Sequence, residues 1–178
     1  MPATGRLGSD VGAIGISTYK QVWNALINIL TTAQALPDTG PLSIGYVKDI
    51  RYGAKNISDI PELPAIIVTP VSDKEEQHNI AQYNYKRVFW TISLQCWLKA
   101  IEKDTQVTGE ITLSDGVTLK GISDFEADVK NVINNHPDLD GVAMTLKFPN
   151  TSTLFEVWPN QVVDIEMVVE FITPYNGR

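Results

Sequence analysis

The sequence predicts an α+β fold: an antiparallel-rich (mixed) β-sheet with two α-helices packed on one face, plus an inserted β-hairpin arm. Two stretches repeat their apolar residues at helical spacing, and several others alternate apolar and polar residues with the period of a half-buried strand. The strands also come in runs of three after each helix, rather than singly between helices as a parallel sheet requires. The 178 residues suit one domain, and 43% hydrophobic with 20% charged residues matches a soluble globular chain. Disordered, collagenous and fibrous chains are excluded.

Residues 1–16 mix Gly, Ser, Thr and Ala without periodicity and are expected to form a flexible N-terminal arm. The domain proper then spans 17–173, with the hairpin inserted at about 101–122, and 174–178 form a C-terminal tail. Tyr19, Val22, Trp23, Leu26, Ile27 and Leu30 follow the template of one buried helix face, with Ser17 or Thr18 as the cap. That helix must stop before Leu36-Pro37, because proline disfavours helical geometry in its predecessor. From Ser43 to Tyr52, Ile44, Tyr46, Val47 and Ile50 suggest a strand whose slipped alternation a bulge would explain.

Ala65 to Thr69 is a compact apolar run bracketed by Pro64 and Pro70, a short strand stopped by the second proline. The polar stretch Ser72 to Gln82 then predicts a solvated loop. Tyr83 to Ala100 is the clearest strand, with Val88, Trp90, Ile92, Leu94, Cys96 and Leu98 on one face and Arg87, Thr91, Ser93 and Gln95 on the other. Such a strand is roughly 50 Å long, against a diameter near 40 Å for a domain of this size. It must bend, break at a bulge, or project. Ile111 and Leu113, then Val117 and Leu119, alternate around Asp115-Gly116 and predict a hairpin. Ser123-x-x-Glu126 has the form of a capping box, followed by Phe125, Val129, Val132 and Ile133 at helical spacing over about Asp124 to Asn135. Val142 to Phe148, Leu154 to Trp158 and Val162 to Ile172 are the closing strands.

Chemical motifs are scarce. The two histidines, His78 and His136, are accompanied by neither a Cys-x-x-Cys pair nor His-Glu-x-x-His, so no metal site is expected. The run His136-Pro-Asp138-Leu-Asp140-Gly141 resembles part of a calcium loop, but its twelfth position is Lys147 where a bidentate Glu is required. His136 is expected in the last turn of the second helix, where a cation suits the dipole. Cys96 alternates with core residues and so is a small buried hydrophobe, not a nucleophile; a single cysteine also makes no internal disulfide, which fits a reducing compartment. Gly-x-Ser-x-Gly, Gly-x-Gly-x-x-Gly and Gly-Lys-Ser/Thr are absent, which closes the usual hydrolase, dinucleotide and nucleotide routes. No catalytic residue and no cofactor are predicted.

The charge adds a constraint. Fourteen basic against twenty-one acidic residues give a net charge of -7, which opposes a groove that grips phosphate backbone. The longest apolar run, Ala65 to Val68, is far too short to cross a bilayer, so no membrane partner is expected. Asp164, Glu166 and Glu170 recur with period two and so occupy one face of the last strand, predicted to face solvent or a partner.

In its order of elements the chain resembles the tail terminator (tail completion) proteins of long-tailed bacteriophages. The likeness lies in the helix Tyr19 to Leu30, the strand Pro64-Ala-Ile-Ile-Val-Thr-Pro70, the strand Arg87 to Trp97, the helix Ser123 to Asn135 and the strand Val162 to Ile172. The resemblance implies a non-enzymatic virion protein, assembled in the host cytoplasm, that forms a homo-oligomeric ring of six copies. Its partners would be the tail tube protein and the head-side connector protein, with DNA passing through without specific binding. Asp164, Glu166 and Glu170 would then line an acidic channel that repels phosphate. The hairpin arm, through Thr105, Glu110, Ile111, Leu113, Val117 and Leu119, would contact a neighbouring subunit or the tube. The rival readings are another neck component or tail tube subunit, and a metal-assisted hydrolase built on Asp164, Glu166 and His78.

Overall fold

The structure, a computed structural model, describes residues 17–38, 40, 42–53, 62–77, 85–99, 111–112, 118–157 and 159–174. The predicted arm over 1–16, most of the inserted hairpin and residues 175–178 of the tail lie outside the described residues. Helix α1 runs from Tyr19 to Ala35, and Thr18 caps it in a capping box with Gln21. The Thr18 hydroxyl accepts from the Gln21 backbone N–H at 3.3 Å, and the Thr18 N–H donates to Gln21 Oε1 at 2.8 Å. Ile29 and Ala33 extend its buried stripe toward the stop expected before Leu36-Pro37, while the Thr31 hydroxyl donates back to the Ile27 carbonyl at 2.8 Å. It ends at Leu36, extended before Pro37.

The strand expected over Ser43 to Tyr52 is a turn followed by the short strand β1, Asp49–Tyr52. Ile44 and Val47 are both buried, but the Ile44 N–H donates to the Ala33 carbonyl and the Val47 N–H to that of Ile44. A turn of that kind also brings residues three apart to one side, so the slipped alternation needs no bulge. Strand β2 runs from Ala65 to Gln77, straight through Pro70 and through residues expected to form a loop. Two features permit this. β1 pairs only with Ala65 to Val68, so beyond it β2 has an edge on which the proline's missing N–H costs little. The register also shifts between Pro70 and Ser72, leaving Val71 as the extra residue of a bulge.

β3 (Tyr85–Lys99) pairs along all its length with β8 (Asn160–Pro174), and from Lys86 to Trp97 with β2. Its pairing with β8 has no register shift, so the long strand is accommodated by a partner equally long. β6 (Thr145–Lys147) and β7 (Thr153–Val157) share the other edge of β8. The order is β1-β2-β3-β8-β6 with β7 also on β8, and among the described residues only the β1·β2 pairing is parallel. The mixed, largely antiparallel sheet is therefore as expected. β4 (Ile111–Thr112) and β5 (Thr118–Leu119) form a separate two-stranded ladder.

Helix α2 spans Ile122–Asn134, and its N-cap is Gly121, with no side-chain cap bond. The predicted capping box is thus displaced: Ser123 lies inside the first turn, because starting at Ile122 buries that side chain, which is 1% exposed. Glu126 instead accepts from Lys130 Nζ at 2.6 Å, one turn on. Both helices bury their stripes on one sheet face. Val22, Leu26 and Leu30 of α1 and Phe125, Val129 and Ile133 of α2 share a core with Val88 to Leu98 on β3 and Val163 to Phe171 on β8, taken at alternate positions. Among the described residues no helix is long and apolar enough to cross a membrane.

Candidate assembly face

The register places the other sheet face in rows that no helix of the main core reaches. Ala65, Trp97, Val162 and Phe155 stand side by side in the first row, and Ile67, Gln95, Asp164 and Thr153 in the next. Ser72, Thr91, Val168 and Lys147 follow further along, then Lys74, Phe89, Glu170 and Thr145. Between these rows lie Thr69, Ser93 and Glu166. Ala65, Ile67, Trp97 and Val162 form a small second core, flanked by Leu63 and Phe155. Alternation on β3 places Trp97 as an apolar residue on its polar side, which is the signal for this second cluster.

Asp164, Glu166 and Glu170 do share this face, and each has a partner. Asp164 Oδ1 accepts from the Ser93 hydroxyl at 2.6 Å, and Glu166 accepts from the Asn150 amide. Glu170 differs from the solvated carboxylate expected: it is 7% exposed, and Arg87 Nε donates to its Oε1 at 2.6 Å. The Arg87 guanidinium also lies 5.0 Å from the Phe89 ring centroid. Alternation reveals which face a carboxylate occupies but not that a cross-strand arginine covers it. The centre of the face therefore holds hydroxyls, amides and two partly exposed carboxylates, while Lys74, Arg87 and Lys147 gather toward one end.

Of the residues predicted for the arm, Ile111 pairs with Leu119 in the β4·β5 ladder. Thr105, Glu110, Leu113 and Val117 lie outside the described residues, as does His78. His136 sits just beyond the end of α2, its Nδ1 2.6 Å from Asp140 Oδ1, and the run that follows it is a turn in which Leu139, Asp140 and Gly141 have φ of 50°, 60° and 86°. Cys96 is fully buried; burial, reinforced by the negative charges of Glu126 and Asp164, pushes its thiol far above the ordinary range. Among the described residues no group of three or more His, Cys, Asp and Glu is placed to hold a metal ion.

At the helix side, Tyr46 donates to Asp128 Oδ2 at 2.9 Å under a Lys120 ammonium 4.6 Å from its ring. Lys120 also pairs with Asp128 at 2.6 Å. Burial first, and then the Asp128 carboxylate, raise the Tyr46 phenol well above its usual value. This charged cluster ties the β1 approach to α2 rather than opening a site. No protein-family model matches the chain, and no curated protein matches it.

Proposed function

We propose that this protein is a structural subunit of a long-tailed phage virion, one that forms a ring terminating the tail tube and joining it to the head connector. The observation that carries the reading is the division of labour between the two sheet faces. One face is spent on both helices, and the other offers a broad surface of Thr69, Thr91, Ser93, Gln95, Asp164 and Glu166. Turned toward a channel, the hydroxyls, amides and carboxylates at the centre of this face, with Lys74, Arg87 and Lys147 set toward one end, let a polyanion pass without adhering, since adhesion to DNA comes chiefly from cations displacing counterions. The net charge of -7 acts in the same direction.

In this reading the ring comprises six copies, and its two flat sides meet the tail tube protein and the head-side connector. Assembly takes place in the host cytoplasm, and the protein acts without catalytic groups. The test adds the purified chain to tail tubes growing without their terminator and follows their length by electron microscopy. Elongation should stop, with a single ring at the tube end. Tubes that lengthen unchanged, or a protein that itself polymerises into tubes, would refute the assignment. Asp164→Lys with Glu166→Lys should leave capping intact but make the ring retain DNA at low salt.

A further inference from the structure

A groove of about 280 Å³ lies where the C-terminal ends of α1 and α2 converge. Ile29, Ala33 and Val132 line it, and Leu36 and Leu42 stand at its mouth, 46% and 40% exposed. That is room for one or two aliphatic side chains, not for a drug-sized ligand. Its surroundings are electronegative. Neither helix carries a basic residue in its last turn, both dipoles end there, and Asp140 borders the groove with its side chain 66% exposed, its Oδ1 2.6 Å from Nδ1 of His136, which also lines the groove.

We infer that this groove receives residues Arg6-Leu7 of a second copy of the chain, the leucine entering between Leu36 and Leu42 and the arginine meeting Asp140. The inference deepens the ring reading and rests on it for the neighbouring subunit. Arg6 is the one Lys or Arg among the first sixteen residues, and it adjoins Leu7. Length is sufficient. The segment is anchored at Ser17, whose N–H donates to the Ile172 carbonyl at 2.7 Å, and the ten residues back to Leu7 reach at most about 33–36 Å. The 17 residues of α1 span about 25 Å.

The path favours a second copy over the chain's own groove. Folded back along α1, the segment would lay Val11 and Ile14 against Lys20, Gln21, Asn24, Asn28 and Thr31, all exposed and polar. Anchor and groove lie at opposite ends of α1, so a contact between copies is head-to-tail, the kind that closes a ring when its rotation permits.

The test uses the full chain as two single variants, Leu7→Cys and Leu42→Cys, mixed under mild oxidation, so that a disulfide joining them forms only between copies. Docking brings the two thiols to an effective concentration of about millimolar, so this product should exceed by roughly tenfold that of Leu7→Cys with Ser72→Cys, a control at the bulged part of β2. Arg6→Glu, or a rise in salt, should lower the yield severalfold. Equal yields at both positions overturn the inference. So does a disulfide that forms only within one chain of the double variant. Rings seen by mass measurement without this cross-link overturn it and leave the ring reading standing; the cross-link found only in open chains supports it and removes the ring.

Discussion

Trp90 stands among three rings, with centroids at 5.1 Å to Tyr19, 5.7 Å to Trp23 and 6.4 Å to Phe171, and it is 9% exposed. Truncating it to Ala should cost about 3–5 kcal/mol in urea melts, whereas Val71→Ala on the exposed bulge should change stability by under about 0.5 kcal/mol. A loss at Trp90 below about 1 kcal/mol would contradict its place in the core. Glu126 gives a prediction in pH. Burial works to raise its pKa, but the hydrogen bonds from Lys130 and Ser152 outweigh it and hold the carboxyl below its usual range. A depressed native value contributes stability above the unfolded pKa of about 4.3, and that contribution is lost as pH falls through the native value. Glu126→Gln should therefore lower stability by under about 1 kcal/mol at neutral pH, and melts at decreasing pH should show the difference closing below about pH 4. The buried state of Trp90 and Cys96 was legible because alternation alone determines it. The pairing of Arg87 with Glu170 was not, since it depends on which strand lies beside β3.

Two sequences of similar form, Thr18-x-x-Gln21 and Ser123-x-x-Glu126, have different fates, and the difference lies in what precedes them. Thr18 follows a buried Ser17 held to β8, which fixes the entry of α1. Ser123 follows Ile122, an apolar residue with a core to reach, so the helix begins two residues early and draws the serine inside. Thr18→Ala should consequently cost about 1 kcal/mol in thermal or urea melts, and an unchanged midpoint would show that tertiary contacts alone hold the end of α1. The helices and the strands β3 and β8 were legible in the sequence because their periods run for many residues. β2 beyond Pro70 was not. Its polar residues sit at an edge where one side of the ladder suffices, and a proline there signals a bulge as readily as an end.

At the scale of the molecule, the β4·β5 ladder is a sheet of its own, apart from the six-stranded one, and a ribbon so short contributes little stability by itself. Replacing Thr105 to Leu119 with a short Gly/Ser link should leave the melting temperature within a few degrees, as calorimetry would show; unfolding would mean that the hairpin belongs to the main core. The candidate face was legible only as three acidic residues in alternation. That the helices leave it open is a matter of topology, which no local pattern encodes. The same topology constrains synthesis. β8 pairs with β3, β6 and β7, so the strand through which the sheet is joined is the last of the described strands to leave the ribosome. Until then β3 presents fifteen residues with a bare edge, and contacts of such long sequence separation form slowly. A nascent chain is thus exposed to aggregation while the residues between Lys99 and Asn160 are made, and a chain truncated before Asn160 has no native sheet to complete. Only finished subunits acquire the surface from which an assembly could be built, so the order of the strands itself screens out incomplete copies.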